Sequence, residues 1–268
     1  MEITKHPLCQ LKITASAGLR LPKSCPDHRI APMQVTATPS VAPLTGISSM
    51  ATRQLLAELT TAYAERSGQT VLVESVGGVD AAKRVQAGEV FDLVVLASDA
   101  MAKLMAAGHL RADSLTPLVH SGVAVAVRAG TPAPDISSED ALRQAVLAAP
   151  TLSYSTGPSG VALARLFERW GIAERIKDRI VTAPPGVPVG SLVAKGEVAL
   201  GFQQLSELIH VQGISIVGPL PSTIQITTTF SAAMTSGCTR PAEVQALLDF
   251  MASPEAAEAK QRQGMEPA

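Results

Sequence analysis

The stretch TVLVESVGGVDAAKRVQAGEVFDLVVLASDAMAKLMAAG, residues 70–108, holds two strand-to-helix units in a row. Residues 70–74 are apolar and β-branched up to Glu74, which predicts a strand. Gly77-Gly78 interrupts it, residues 80–87 carry a helical pattern, and Gly88 follows as a C-cap signal. The cycle then repeats: an apolar run at 92–96, a helical pattern at 99–107, and Gly108 after it. Strand and helix in strict alternation imply sheets with much parallel pairing and helices on both faces.

The alternation extends in both directions. Further strands are predicted at 41–47, 122–127, 151–154, 180–182, 198–202, 214–217 and 224–230. Helices are predicted at 49–66, where Leu55, Leu56, Leu59 and Tyr63 share a face, and at 159–170, closed by Gly171. Two more, 241–251 and 254–263, close the chain, each with Pro early. Phe91, Leu93, Val95, Leu152, Phe167, Trp170 and Leu200 are the expected core markers. The Val123–Val127 run and the β-branched 224–230 segment read as two strands crossing between lobes, with a single wide sheet as the alternative. The fold class expected is α/β with two lobes, each a mostly parallel sheet flanked by helices, and a ligand cleft between them. Lobe 1 would take residues 41–119 plus 222–268, and lobe 2 residues 120–221.

Composition narrows the function. Of 268 residues, 46% are hydrophobic and 17% charged, enough to build a sizeable core. Twenty-two basic and 23 acidic residues leave a net charge of −1, without the basic surplus of a nucleic-acid binder. No apolar run reaches the roughly 18–20 residues of a membrane span. Cys9, Cys25 and Cys238 form no C-x-x-C pair, and His109, His120 and His210 are dispersed, so no metal site is expected. Residues 1–32 contain no purely apolar run longer than two, so no secretory signal is recognisable. Residues 1–32 also show no sustained helical or strand period, and residues 1–40 are expected to be a disordered or leader segment.

Chemistry-bearing residues gather where strands feed helices, the usual ligand position in open α/β sheets. Helix starts there present free N–H groups and a positive dipole end, which suit anions. Four junctions qualify: Thr45-Gly-Ile-Ser-Ser49, Ser75-Val-Gly-Gly-Val79, Tyr154-Ser-Thr-Gly-Pro-Ser-Gly160 and Pro184-Pro-Gly-Val-Pro-Val-Gly-Ser191. The third is the richest, with four hydroxyl-bearing residues and two glycines. Walker A, G-x-G-x-x-G, H-E-x-x-H and G-x-S-x-G patterns are all absent. Ser48 and Ser49 have an alternative reading as simple N-caps. Glu74 has one as a general base, and Arg53, Arg128 or Arg165 as a carboxylate partner.

Several phrases occur together and in order: Gly46-Ile-Ser-Ser-Met50, Val85-Gln-Ala-Gly-Glu-Val-Phe-Asp-Leu93, Ser98-Asp-Ala-Met101, and Gly190-Ser-Leu-Val-Ala-Lys-Gly-Glu-Val198 followed by Leu200-Gly-Phe202. In this set the chain resembles the molybdate-binding proteins of bacterial ABC importers, in the type II periplasmic-binding superfamily, over residues 41–266. The resemblance implies two lobes closing on an oxyanion held by hydroxyls and backbone N–H groups, with no cofactor. It also implies a monomer in the periplasm and an ABC permease as partner; the missing signal leaves a cytoplasmic location as the alternative.

Place at a strand–helix junction and the resemblance together give the binding set: Ser48 and Ser49, of which the resemblance uses one, Ser75, Gly77, Gly78, Tyr154, Ser155, Thr156, Gly157, Ser159, Val187, Pro188, Gln203 and Gln204. Two departures remove hydroxyls: the loop after the second strand is Val76-Gly-Gly-Val79, and the family's late tyrosine falls at about Gln204. Both open the site to a larger, flatter anion such as a carboxylate. The expected function is capture of a small anion for import. The alternative is isomerisation of a small polycarboxylate, as in the aconitate isomerases that resemble this scaffold.

Overall fold

The computed structural model describes residues 42–184 and 186–268; the expectations for residues 1–40 lie outside them. The first run of elements is β1 (Leu44–Ser49), α1 (Arg53–Ser67), β2 (Val71–Val76), α2 (Gly78–Gln86), β3 (Leu93–Ala97) and α3 (Ser98–Ala106). The long β4 (Thr116–Arg128) leads to α4 (Glu139–Ala148), β5 (Leu152–Tyr154), α5 (Pro158–Arg169), α6 (Ala173–Ile176), α7 (Val189–Lys195), β6 (Leu200–Gln204), α8 (Leu205–Leu208) and β7 (Ile214–Pro219). The chain then returns through β8 (Thr227–Met234), α9 (Pro241–Ala252), α10 (Ala257–Arg262) and β9 (Met265–Pro267).

The strands run in the order β2-β1-β3-β8-β4-β6-β5, with β7 and β9 also paired to β4. β4 is shared: Thr116–Gly122 pairs with β8, and Val123–Arg128 carries β6 and β7. The fold is the two-lobed α/β arrangement, but its sheets are mixed. Pairing is parallel for β1 with β2 and β3 and for β5 with β6, and antiparallel around β4 and β8. Antiparallel pairing follows from the connectivity, because a strand that passes between lobes and one that returns must run oppositely.

Side-chain alternation builds a core on each face. In β3, Leu93, Val95 and Ala97 join the cluster under α1 and α9, while Val94 and Leu96 join the one under α2 and α3. Burial on both faces is why this strand reads as one apolar run. In β4, Val123, Val125 and Val127 face α4 and α5, while the small Ala124 and Ala126 lie under α8. The expected core markers are buried except Trp170, which is half-buried and packs its ring 5.8 Å from Phe167.

Four local departures have physical causes. β4 starts at Thr116 despite Pro117, because the register shifts between Pro117 and Val119 and so spares the ladder a missing N–H. β8 starts at Thr227, later than expected, because residues Ser222–Ile224 form a 3-10 turn and Gln225 takes the Ile226 N–H with its own side chain at 2.8 Å. Residues 180–182 make only a single bridge, Ile180 to Leu152, with Pro184 close behind. The helix α4 was not anticipated; its signal is Ser138, which accepts from Ala141 N–H at 3.1 Å, followed by Glu139 and Asp140 in the first turn.

Candidate functional site

A cleft of about 800 Å³ opens where these junctions meet. Its lining includes Ser49, Gly77, Gly78, Ser155, Thr156, Gly157, Ser159, Val187, Pro188, Gln203 and Gln204. Ser48, Ser75 and Tyr154 stand outside that lining, against expectation, and strand geometry says why. Adjacent strand residues point to opposite faces. Ser48 is opposite Ser75 in the β1–β2 register, and their hydroxyls bond each other at 2.7 Å. Tyr154 ends a strand and turns into the hydrophobic core, edge-on to Phe167 at 5.9 Å.

Ser49 ends β1. It is buried, its backbone is extended, and it does not cap the 3-10 turn at Met50–Thr52 that follows. Its Oγ has no hydrogen-bond partner in the protein. A buried hydroxyl without a partner costs roughly 1–3 kcal/mol; Ser153, Ser206 and Arg143 also bury an unpartnered polar atom, and of these four residues Ser49 lines the cleft. Gly78, the first residue of α2, lies against it: a Cβ on Gly78 would sit 3.5 Å from Ser49 Cβ. The start of α2 and Ser49 thus share one corner of the cleft.

The opposite wall is built by the loop before α5. Pro158 occupies the first turn of that helix, where its missing N–H is no loss. Ser155 and Ser159 hydroxyls pair at 3.0 Å. The loop folds back so closely that a Cβ on Gly160 would lie 1.5 Å from the Ser155 carbonyl oxygen. Only glycine allows this fold-back, which holds Ser155 and Thr156 toward the cleft.

The third helix start is α7. Its Gly190 N–H donates to Gln203 Oε1 at 3.2 Å, so Gln203 caps the helix from β6. Gln204 is used internally: its amide oxygen accepts from Thr228 Oγ1 at 2.9 Å and, with the nitrogen toward Ser121, the nitrogen donates to Ser121 Oγ at 2.8 Å. That ties β6 to β4 and β8, and it commits Gln204 to joining strands although it lines the cleft.

Sequence reasoning missed the charged members of the lining. Lys83 and Asp80 on α2, and Lys103 and Asp99 on α3, stand exposed along one side. On the other side Glu207, half-buried on α8, faces in. Burial raises its carboxyl to about 7, against the lowering effect of a hydrogen bond from Gln203. The missed signal was position: Glu207 follows Gln203-Gln204 at a strand-to-helix junction of the kind already judged functional. Glu74 is engaged elsewhere, bidentate with Arg84 at 2.6 and 2.8 Å, and Arg84 holds it below the usual carboxylate range. Arg53, Arg128 and Arg165 are not among the cleft residues; Arg128 lies against Gly196, and Arg165 lines a separate surface pocket. Among the described residues no group of three or more His, Cys, Asp or Glu is placed to hold a metal ion.

A cleft faced by helix starts, between two sheets that share a strand, defines a two-lobed binding protein. The family model for bacterial extracellular solute-binding proteins matches residues 44–266, and the chain belongs to that family. An aconitate isomerase from a Pseudomonas species is 38% identical over 246 residues, covering 89% of this chain and 93% of its own. The periplasmic molybdate-binding protein of Azotobacter vinelandii superposes with a TM-score of 0.69 at 20% identity, over 83% of this chain and 98% of its own. The sulfate-binding protein SubI of Mycobacterium tuberculosis H37Rv does so with a TM-score of 0.69 at 16% identity, over 85% and 88%. At such identities the two structures speak for the fold. Among the described residues no helix is long and apolar enough to cross a membrane.

Proposed function

We infer that this protein captures a small anion in the cleft and that the anion is a polycarboxylate. The observation that carries the reading is Ser49, which lines the cleft beside the start of α2 and whose buried hydroxyl has no partner in the protein. Neutral donors in a closing cleft hold an anion well, because charge-assisted hydrogen bonds are about twice as strong as neutral ones. Lobe 1 (41–119 plus 222–268) and lobe 2 (120–221) close on it. Two features favour carboxylate over a tetrahedral oxyanion. Ser75, the one hydroxyl of the second junction, is tied to Ser48, and the cleft rim carries lysines. The aconitate isomerase relative points to the same ligand class. As a member of an extracellular solute-binding family, the protein works as a monomer in the periplasm and delivers its ligand to an ABC permease.

A second reading has one specific observation behind it. The relative that matches along 93% of its own length is named for isomerising aconitate, a tricarboxylate. On that reading the cleft interconverts its ligand after binding it. A thermal-shift panel tests the ligand class: cis- and trans-aconitate, citrate, propane-1,2,3-tricarboxylate, molybdate, tungstate and sulfate. Ligand at 100 times its Kd stabilises by about 2.7 kcal/mol, so the tricarboxylates should raise Tm by several degrees. A response to molybdate alone would overturn the carboxylate assignment.

A further inference from the structure

Glu207 is the half-buried cleft carboxylate, unlike the exposed Asp80 and Asp99, and anion capture has no use for it. A carboxylate in the wall of an anion site opposes binding, yet this one faces the same cavity as Ser49, Ser155 and Ser159. Its surroundings are nearly free of countercharge. The short helix α8 packs against β4, β6, the Met50–Thr52 turn, Gly190 at the start of α7, whose one charged residue Lys195 stands at its other end, and Gly264 before β9. The turn and β6 carry no titratable side chain. On β4 these are His120, whose Nδ1 lies 2.9 Å from Thr229 Oγ1, and Arg128, which lies against Gly196. Beyond α8, His210 is bonded to Gln263 at 2.6 Å. The remaining cleft charges, Asp80, Lys83, Asp99 and Lys103, stand on α2 and α3. Among the described residues Glu207 makes no ion pair, and its side-chain partner is the amide of Gln203. With the Gln203 oxygen accepting from Gly190 N–H, its amide nitrogen remains free to donate to the Glu207 carboxyl.

We propose that Glu207 is the proton-transferring residue of this cleft, acting on an unsaturated polycarboxylate. The proposal rests on the second reading above and names the residue that would carry it. The step balances without a cofactor. As carboxylate, Glu207 takes a proton from the methylene carbon next to the ligand's double bond. The C–H electron pair becomes the new double bond, and the pair of the old one takes the same proton back from Glu207 at the far allylic carbon. The double bond has moved by one position and Glu207 is restored. Negative charge that develops between these events spreads onto the ligand's carboxylates, where the Ser49 hydroxyl and the start of α2 can stabilise it. A carboxyl that titrates near 7 suits both halves of the transfer, since a general base works best with a pKa close to the operating pH.

The test uses the wild-type protein and Glu207→Gln, which keeps shape and a hydrogen-bonding head but cannot take the proton. Interconversion of trans- and cis-aconitate is followed by proton NMR in D2O, and binding by thermal shift with propane-1,2,3-tricarboxylate, which has no double bond to move. The expected result is turnover in wild type with kcat/KM rising as pH increases through about 7. Glu207→Gln should lose at least 100-fold in turnover while binding the saturated tricarboxylate within about 5-fold of wild type. Retained binding also shows that the variant folds. Full turnover in Glu207→Gln overturns the assignment of Glu207 and leaves the isomerase reading standing. A wild-type protein that binds the tricarboxylate but never moves the double bond overturns both. No tricarboxylate binding at all would remove the ligand class as well.

Discussion

The two walls of the cleft solve the same electrostatic problem with different chemistry. The α2–α3 wall brings Ser49, bare backbone at Gly77 and Gly78, and the exposed charges of Lys83 and Lys103. The α5–α8 wall brings hydroxyls, the Gln203 amide and Glu207. The first wall has room: a Cβ on Gly78 would make only ordinary contact, at 3.5 Å. The second is packed to the limit, with Ser155 carbonyl over Gly160 and Gln203 locked to Gly190. A rigid donor surface on one side and a looser, charged surface on the other assign different tasks to them. The packed wall sets geometry, and the open wall supplies one committed hydroxyl and an adjustable field.

The comparison is broken most directly at Gly160. Alanine there would put its Cβ 1.5 Å from the Ser155 oxygen, far inside any contact distance, and backbone cannot yield as a side-chain tip can. The loop must move, carrying Ser155 and Thr156 with it. Overpacking of this kind costs about 1–3 kcal/mol, sometimes more. Gly160→Ala should lower Tm by several degrees and weaken tricarboxylate binding by roughly 100-fold or more. The same substitution at Gly78 should leave Tm nearly unchanged. Wild-type affinity in Gly160→Ala by calorimetry would show that the packed wall does not position the ligand.

Ser49 gives the next largest effect, and its sign differs between stability and binding. Removing a buried hydroxyl that has no partner relieves its desolvation cost. Ser49→Ala without ligand should therefore match wild type in Tm or exceed it by a degree or two. Affinity should fall by about 10- to 150-fold, the equivalent of about 1.5–3 kcal/mol for one hydrogen bond to a charged group. A lower Tm with unchanged affinity would make Ser49 a structural serine.

These sites were unequally legible in the sequence. The strand–helix alternation exposed the fold because β3 and the second half of β4 are buried on both faces, and continuous apolar runs are hard to misread. The serine pair 48–49 was visible, but which of the two faces the cleft depends on strand register, a matter of one residue that reverses every side chain. Pairing of β1 with β2 settles it, since Ser48 is opposite Ser75. Gln204 matched its family position but is drawn into Ser121 and Thr228, contacts made across strands far apart in sequence. Glu207, Lys83 and Lys103 carry no motif; their place in the cleft follows from three elements converging in space.

The smallest expected effect concerns those lysines. Lys83 and Lys103 are exposed, and Asp80 and Asp99 stand on the same two helices, so the formal charge of these four groups cancels. A ligand at a distance feels little of them, and one in contact feels single charges through water and salt. At physiological ionic strength the Debye length is about 8 Å, and an exposed pair is worth about 0–1 kcal/mol. Replacing both lysines by glutamine should weaken tricarboxylate binding about 3- to 10-fold at 20 mM salt. The loss should shrink toward nothing at 1 M, where screening acts within about 3 Å. The loss at Ser49→Ala, by contrast, should survive high salt, because a buried hydrogen bond is not screened away. If the lysine double variant lost affinity as strongly at 1 M as at 20 mM, the lysines would be direct ligand contacts in the closed cleft. The α2–α3 wall would then hold the ligand by charge and not tune it from the rim.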